Sequence, residues 1–244
     1  EKSKIERRDL IKLAVCAFAA IAANQMLFIK GLALSSPLQS SLLALISPIL
    51  ITIFASIVLK EKLTSLKIIG LLLALGGALL LLSGKEPSHP GDNYLLGNLL
   101  VIASAVAYAY YFIIVKPLME KYSPIMVTRW IFTFGLLMIW PFCITELSDI
   151  NFASLYINDW LILMAIIVPG TFLAYIFNVY GIKVLNASTA GAYIYTQPLL
   201  AGAIAAIFLG EKITLSKIFA AVLIFSGLYL AQRSNQKNID AKSI

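Results

Sequence analysis

Asn24 and Gln25, Gln39 and Ser47, Tyr108 and Tyr111, Arg129, Tyr175 and Asn178, and Tyr193 and Gln197 all sit inside stretches that are otherwise apolar. A lipid-facing or dry environment penalises such side chains, so they mark places where a chain recognises something or ties helices together. Their groups are amides, hydroxyls, phenols and one guanidinium. That chemistry is hydrogen bonding, stacking and anion pairing, with little capacity to break bonds. The single histidine, His89, falls in the loop KEPSHPGDN, and no Asp or Glu occupies the middle of an apolar stretch. A nucleophile–base pair or a metal cluster therefore has no material within those stretches, and neither catalytic residues nor metal ligands nor a cofactor are expected. No G-x-x-x-x-G-K-[ST] segment occurs to cradle ATP phosphates.

Spacing groups these residues. Thr189, Tyr193 and Gln197 recur every four positions and so share one helical face. Gln39, Leu43 and Ser47 have the same spacing, with Pro48 and Pro198 just beyond each set. Each proline removes one backbone hydrogen bond and leaves a carbonyl open near Ala44 or Ile194. Two readings fit: the faces line a polar cavity, or they bond to neighbouring helices as packing contacts. Asn24, Gln25, Ser104, Tyr108, Tyr111, Tyr175 and Asn178 could bracket an apolar or aromatic solute while their polar tips orient it, or they fill a bundle. Arg129 either holds a substrate carboxylate or phosphate or snorkels to lipid headgroups. Trp130 and Trp160 read as interfacial anchors, and Cys16 and Cys143 as small buried hydrophobes. Pro198, Gly202, Ala206 and Gly210 form a small-residue face suited to close helix packing.

The elements that must position them are membrane helices. The chain has 244 residues, of which 60% are hydrophobic and 13% charged, about half the charge share of a soluble domain. Its mean hydropathy is +0.90. Apolar runs near the ~20 residues that a span needs occur at 10–29, 38–59, 66–82, 94–115, 125–144, 160–179, 187–209 and 218–231, here spans A to H. Only helices and closed barrels satisfy the backbone in lipid, and these runs are too long for barrel strands. The expected fold is an all-α integral membrane protein. With the start of the chain in the cytoplasm, Lys2, Lys4, Arg7, Arg8, Lys60, Lys62, Lys67, Lys116, Lys121, Lys183, Arg233, Lys237 and Lys242 fall inside, against Lys30, Lys85, Lys212 and Lys217 outside. This bias places both ends of the chain in the cytoplasm of a plasma (bacterial inner) membrane. The net charge of +7 sits at span ends, so lipid and a small solute, and not nucleic acid, are the expected partners of a monomer or weak homodimer.

The chain also repeats itself. VLKEKLTSLK at 58–67 and FLGEKITLSK at 208–217 lie at an offset of 150 positions, and the same offset aligns Gly31 with Gly181, Pro48 with Pro198, Glu61 with Glu211 and Gly77 with Gly227. Spans A, B and C pair with F, G and H. Five spans separate B from G, and five is odd, so the copies cross the membrane in opposite directions. An inverted repeat of this kind is the architecture of many secondary transporters. The expected organisation is 1–83 as three helices of the first repeat, 84–93 as an extracytoplasmic linker, 94–232 as a complete five-helix repeat and 233–244 as a cytoplasmic tail. Eight of ten helices would be present, with the equivalents of D and E preceding residue 1. Glu61 and Glu211 then read as structural corners on opposite faces, each beside a threonine that caps the next helix.

These residues resemble the EamA-type transporters of the drug/metabolite transporter superfamily. The carriers are a mid-span proline, a Glu corner and a helix closing on glycine, in Pro48–VLKEKLT–Gly77 and Pro198–FLGEKIT–Gly227. Lys60 departs from the more typical glycine, Gly210, and is expected to loosen helix packing at that corner. The resemblance implies ten helices in two inverted halves, no enzymatic activity, and alternating-access movement of small metabolites, amino-acid-like or other, with export the commoner direction. A non-transporting receptor or scaffold, and a channel, are the rival readings.

Overall fold

A computed structural model describes residues 5–35, 37–82, 93–148, 155–208 and 215–240. Glu211 with its corner, His89 and the linker at 84–92 lie outside the described residues, as does Gly210. Among the described residues every regular element is helical. Five helices among the described residues are long and apolar enough to cross a membrane: Arg7–Leu34, Gln39–Val58, Tyr94–Lys121, Pro124–Ile144 and Ile157–Val184. Spans C and H form the shorter apolar helices Ser65–Leu80 and Ile218–Arg233, and span G is broken into two helices by a turn.

The interruptions follow from the sequence. Span A runs as α1 (Arg7–Ala17), a π-helical turn (Phe18–Ala23) and α2 (Asn24–Leu34). Span B divides into α3 (Pro37–Ala44) and α4 (Ser47–Val58), because Pro48 cannot donate back across the junction. α5 (Ser65–Leu82) begins where Thr64 Oγ1 accepts the N–H of Lys67 at 3.3 Å, the cap expected for that corner. α6 (Tyr94–Lys121) and α7 (Pro124–Ser148) are separated by a short break, and proline takes the first position of α7, where no N–H is needed. Span F mirrors span A as α8 (Ile157–Ala165), a π-helical turn (Ile166–Leu173) around Pro169, and α9 (Ala174–Val184). Then come α10 (Ala187–Ala192), capped by Asn186 Oδ1 at 2.8 Å from Thr189 N, a 3₁₀ turn (Tyr193–Thr196), α11 (Gln197–Phe208) and α12 (Leu215–Asp240).

Lys60 corrects one expectation. Its φ is +54°, and the N–H of Glu61 closes on Ala55 O at 3.1 Å. This is the left-handed C-terminal turn that favours glycine, so the position tests backbone conformation and not helix packing.

Packing is closest between α5 and α12. A Cβ on Gly70 would stand 2.5 Å from Gly227 O, and one on Gly77 would stand 2.7 Å from Ala220 O. Gly227 meets Gly70 O in return. The larger core lies between α1, α6, α7 and α9, with Leu13, Cys16, Phe112, Ile131 and Ile182 fully buried. The outer faces are apolar, as lipid demands, and carry residues such as Leu136, Phe177 and Phe225. Cys143 is exposed on α7, contrary to the buried position expected for it, whereas Cys16 is buried. Trp130 is half-buried and packs against the core beside Phe134.

Candidate functional site

Six of the residues singled out in the sequence meet in one place. Gln25 Nε2 donates to Tyr175 Oη at 3.2 Å, and Tyr175 Oη donates to Ala20 O at 3.1 Å. The π turn makes that carbonyl available, because the N–H of Asn24 reaches past it to Ala19 O. Such turns recur at functional sites. Asn24 Nδ2 donates to Ser104 O at 3.0 Å. Asn178 Nδ2 donates to Tyr108 Oη at 3.3 Å, and Tyr108 stacks on Tyr111 with ring centroids 6.0 Å apart. Phe132 closes one side by an edge contact with Tyr175 at 5.1 Å. The elements responsible are α2 with its π turn, α6 and α9; on α6, Ser104 and Tyr111 are buried and Tyr108 is half-buried.

Two polar atoms in this cluster are buried without a hydrogen-bond partner: Tyr111 Oη and Asn178 Oδ1. Reversing the Asn178 amide leaves its nitrogen open instead of its oxygen, so one open group remains either way. A buried, unmade hydrogen bond costs about 1–3 kcal/mol, so both groups are open to a water or a bound molecule; Ser40 Oγ, Thr128 Oγ1 and Thr189 Oγ1 are open in the same way outside the cluster. The cluster can accept a hydrogen bond, donate one and stack against an apolar or aromatic surface.

Other candidates go elsewhere. Thr189, on α10, is buried, while Tyr193 and Gln197, at the start of the 3₁₀ turn Tyr193–Thr196 and just after it, are exposed, so the three do not share one environment. Tyr193 Oη instead donates to Gln232 Oε1 at 3.3 Å. Gln39 is half-buried and Ser47 is buried at the B junction, away from the bonds of the cluster. Arg129 is exposed on α7, and Thr133 Oγ1 donates to its backbone carbonyl at 2.8 Å. Pro198 lies half-buried at the start of α11.

At the break in span B, Tyr195 Oη donates to Leu45 O at 3.1 Å, a carbonyl one residue from the Ala44 site expected from Pro48 and passed over by Ile49 N, which bonds Ile46 O instead. Tyr195 and Leu45 are 150 positions apart, as are Gln25 and Tyr175. The repeat offset itself was the signal that could have paired them.

Glu61 also reaches further than a local corner. Its carboxylate accepts from Ala187 N at 2.8 Å and from Ser188 Oγ at 2.5 Å, and it pairs with Lys67 Nζ at 3.2 Å. Around it, Lys116 Nζ donates to Ile182 O at 2.7 Å and Leu185 O at 2.6 Å, the open end of α9. Asp9 accepts from Tyr122 Oη at 2.9 Å and pairs with Lys121 at 3.1 Å.

The sequence model of the EamA-like transporter family matches residues 1–83 and 95–232. Among relatives, the "Uncharacterized transporter YetK" of Bacillus subtilis is 23% identical over 227 residues, which is 93% of this chain and 69% of that one. The "Probable terminal-alkyne amino-acid exporter" of Streptantibioticus cattleyicolor is 25% identical over 229 residues, 93% of this chain and 74% of its own. A solved structure, titled only as the crystal structure of a protein, superposes with a TM-score of 0.77 at 19% identity, over 92% of this chain and 76% of that one, which shows a shared fold. Nearly the whole chain matches one model, and its helices are those of a membrane protein: it belongs to the EamA-like transporter family.

Proposed function

We propose that the chain is a secondary carrier that moves a small organic solute by alternating access between two inverted repeats, and that the solute binds at the cluster of Asn24, Gln25, Tyr108, Tyr111, Tyr175 and Asn178. The observation that carries this reading is the Gln25–Tyr175 hydrogen bond. These are equivalent positions of the two repeats, and a residue touches its own equivalent only on the axis that relates them. Tyr195 and Leu45 are a second such pair. The α5–α12 contact supports the same axis, because Gly70 meets the equivalent of Gly77, and Gly77 meets Ala220, the equivalent of Gly70. A polar cluster on the axis between two inverted halves is where a carrier can expose one site to either side in turn.

The full bundle has ten helices in this reading. A Cβ on Gly31 would strike Gly97 O at 2.8 Å on α6, whereas one on the equivalent Gly181 would meet nothing within 4 Å. Ala17 is fully buried, and its equivalent Ile167 is 46% exposed. Span F thus lacks the partner that α6 and α7 provide for span A, and a further helix pair fills that face. Both chain ends lie in the cytoplasm, on the side rich in lysine and arginine. Arg129 serves the headgroup region and not the solute. An amino-acid-like solute suits the amide and phenol groups, and the relative named as an amino-acid exporter supports that class and outward movement. The working unit is a monomer or weak dimer.

Flux into proteoliposomes tests this. Candidate amino acids should give saturable uptake with counterflow, and Asn178→Leu should reduce it at least tenfold while Arg129→Gln leaves it unchanged. Ohmic current would mean a channel, and absence of flux across neutral and aromatic amino acids would remove the carrier reading.

A further inference from the structure

The corner at Glu61 does more than end a helix. Lys60, at φ +54°, turns the chain so that the Glu61 side chain leaves its own helix junction and crosses to the start of α10, 126 positions away. There it meets Ala187 N, Ser188 N at 3.4 Å and Ser188 Oγ, while Lys67 balances its charge from behind. Both members of that ion pair are nearly buried, with 3% of the Lys67 side chain and 11% of the Glu61 side chain exposed. α10 does not depend on this carboxylate for a cap, because Asn186 already serves Thr189 N. The bond instead joins the α4–α5 corner to the α9–α10 corner. Lys116 grips the carbonyls just before that second corner, and Lys183 Nζ reaches Tyr122 O at 3.5 Å. The result is one continuous polar layer across the end of the bundle where α4, α6 and α9 finish and α5, α7 and α10 begin.

We propose that Glu61 is a latch that holds this end of the carrier shut, and that breaking it is the step that opens this end to the solute site. The proposal rests on the alternating-access reading above. The latch is one-sided by sequence. The equivalents of Ala187 and Ser188 are Pro37 and Leu38, which offer one N–H between them and no hydroxyl. The repeat therefore does not reproduce this donor set at the opposite end, and the resting protein is biased towards closure at the Glu61 end.

Hydrogen exchange read by mass spectrometry on the full chain in lipid nanodiscs tests the latch without any substrate. Glu61→Gln keeps the size and one acceptor but removes the charge. Loss of charge-assisted hydrogen bonds should speed exchange about tenfold or more at 116–122 and 182–190. A latch also predicts slower exchange at the far end, at 28–35 and 93–98, as the population moves to the alternate state. A change confined to 187–189 would reduce Glu61 to a local cap and overturn the proposal, as would no change. If Glu61→Gln loosens the whole molecule, Ser188→Ala decides. It removes the hydroxyl that donates to the carboxylate and should give the same opposed shifts at smaller amplitude, and their absence overturns the latch. Opposed shifts in a protein that shows no flux would retain the two-state latch and reject the carrier reading alone.

Discussion

Gly77→Ala and Gly76→Ala, one residue apart on α5, separate packing from helix propensity. Both remove a glycine from a helix interior, which by itself favours the helix by about 0.8–1 kcal/mol. At Gly76 the new methyl meets nothing within 4 Å, so the gain stands. At Gly77 the methyl lies 2.7 Å from Ala220 O and 3.1 Å from Ile224 N, both backbone atoms of α12 that cannot rotate away. Ordinary contact begins at 3.4 Å, so α5 and α12 must part by about 0.7 Å. Overpacking of that kind costs about 1–3 kcal/mol, and the separation also loosens the contacts of Ala74, Ala78 and Ile224, which are fully buried there. The net effect at Gly77 is a loss of up to about 2 kcal/mol. For a chain of this size about 1 kcal/mol shifts Tm by about 2–4 °C. Thermal unfolding in one detergent should then show Gly76→Ala melting a few degrees above the parent and Gly77→Ala up to about 8 °C below it. Equal melting of the two variants would refute the claim that the α5–α12 contact depends on backbone-to-backbone approach.

Three further outcomes follow from the geometry. Lys60→Gly should stabilise the protein by about 0.5–1 kcal/mol in the same melt, since it relieves a left-handed residue at the cost of a more flexible unfolded chain, and Lys60→Val should destabilise it. Tyr195→Phe should cost about 1–2 kcal/mol by leaving Leu45 O unpaired in the core, and unchanged melting would show that the carbonyl finds another donor. Tyr111→Phe should leave stability equal or raised, because the hydroxyl has no partner to lose, while solute affinity in the flux assay falls roughly threefold or more; unchanged affinity would remove Tyr111 from the site.

The membrane class and the helical fold were legible in the sequence, and so was the need for certain polar residues to find partners, because lipid permits few exceptions: a buried amide or phenol within an apolar run has to bond something. Asn24, Gln25, Tyr108, Tyr111, Tyr175 and Asn178 could be picked out for that reason. What each would bond was not legible. Thr189, Tyr193 and Gln197 were grouped by a regular helical period, yet Thr189 is buried and the other two are exposed. Cys143 looked buried because apolar runs do not distinguish a face on lipid from a face on protein. Lys60 looked like a packing defect because the sequence records that glycine is replaced, not why glycine was wanted.

The sequence by itself determined the solvent this chain lives in, the offset of 150 that pairs Glu61 with Glu211 and Pro48 with Pro198, and the identity of the polar residues, since hydropathy and repetition are properties of the string. Only the tertiary structure decided that Gln25 meets Tyr175, that Tyr195 takes the carbonyl freed near Pro48, and that Glu61 crosses to Ala187 and Ser188. Those choices depend on angstrom-scale distances between helices far apart in the chain. They are set by where glycines let backbones touch and where π and 3₁₀ turns redirect a carbonyl or a side chain, and neither is encoded in any local window of residues.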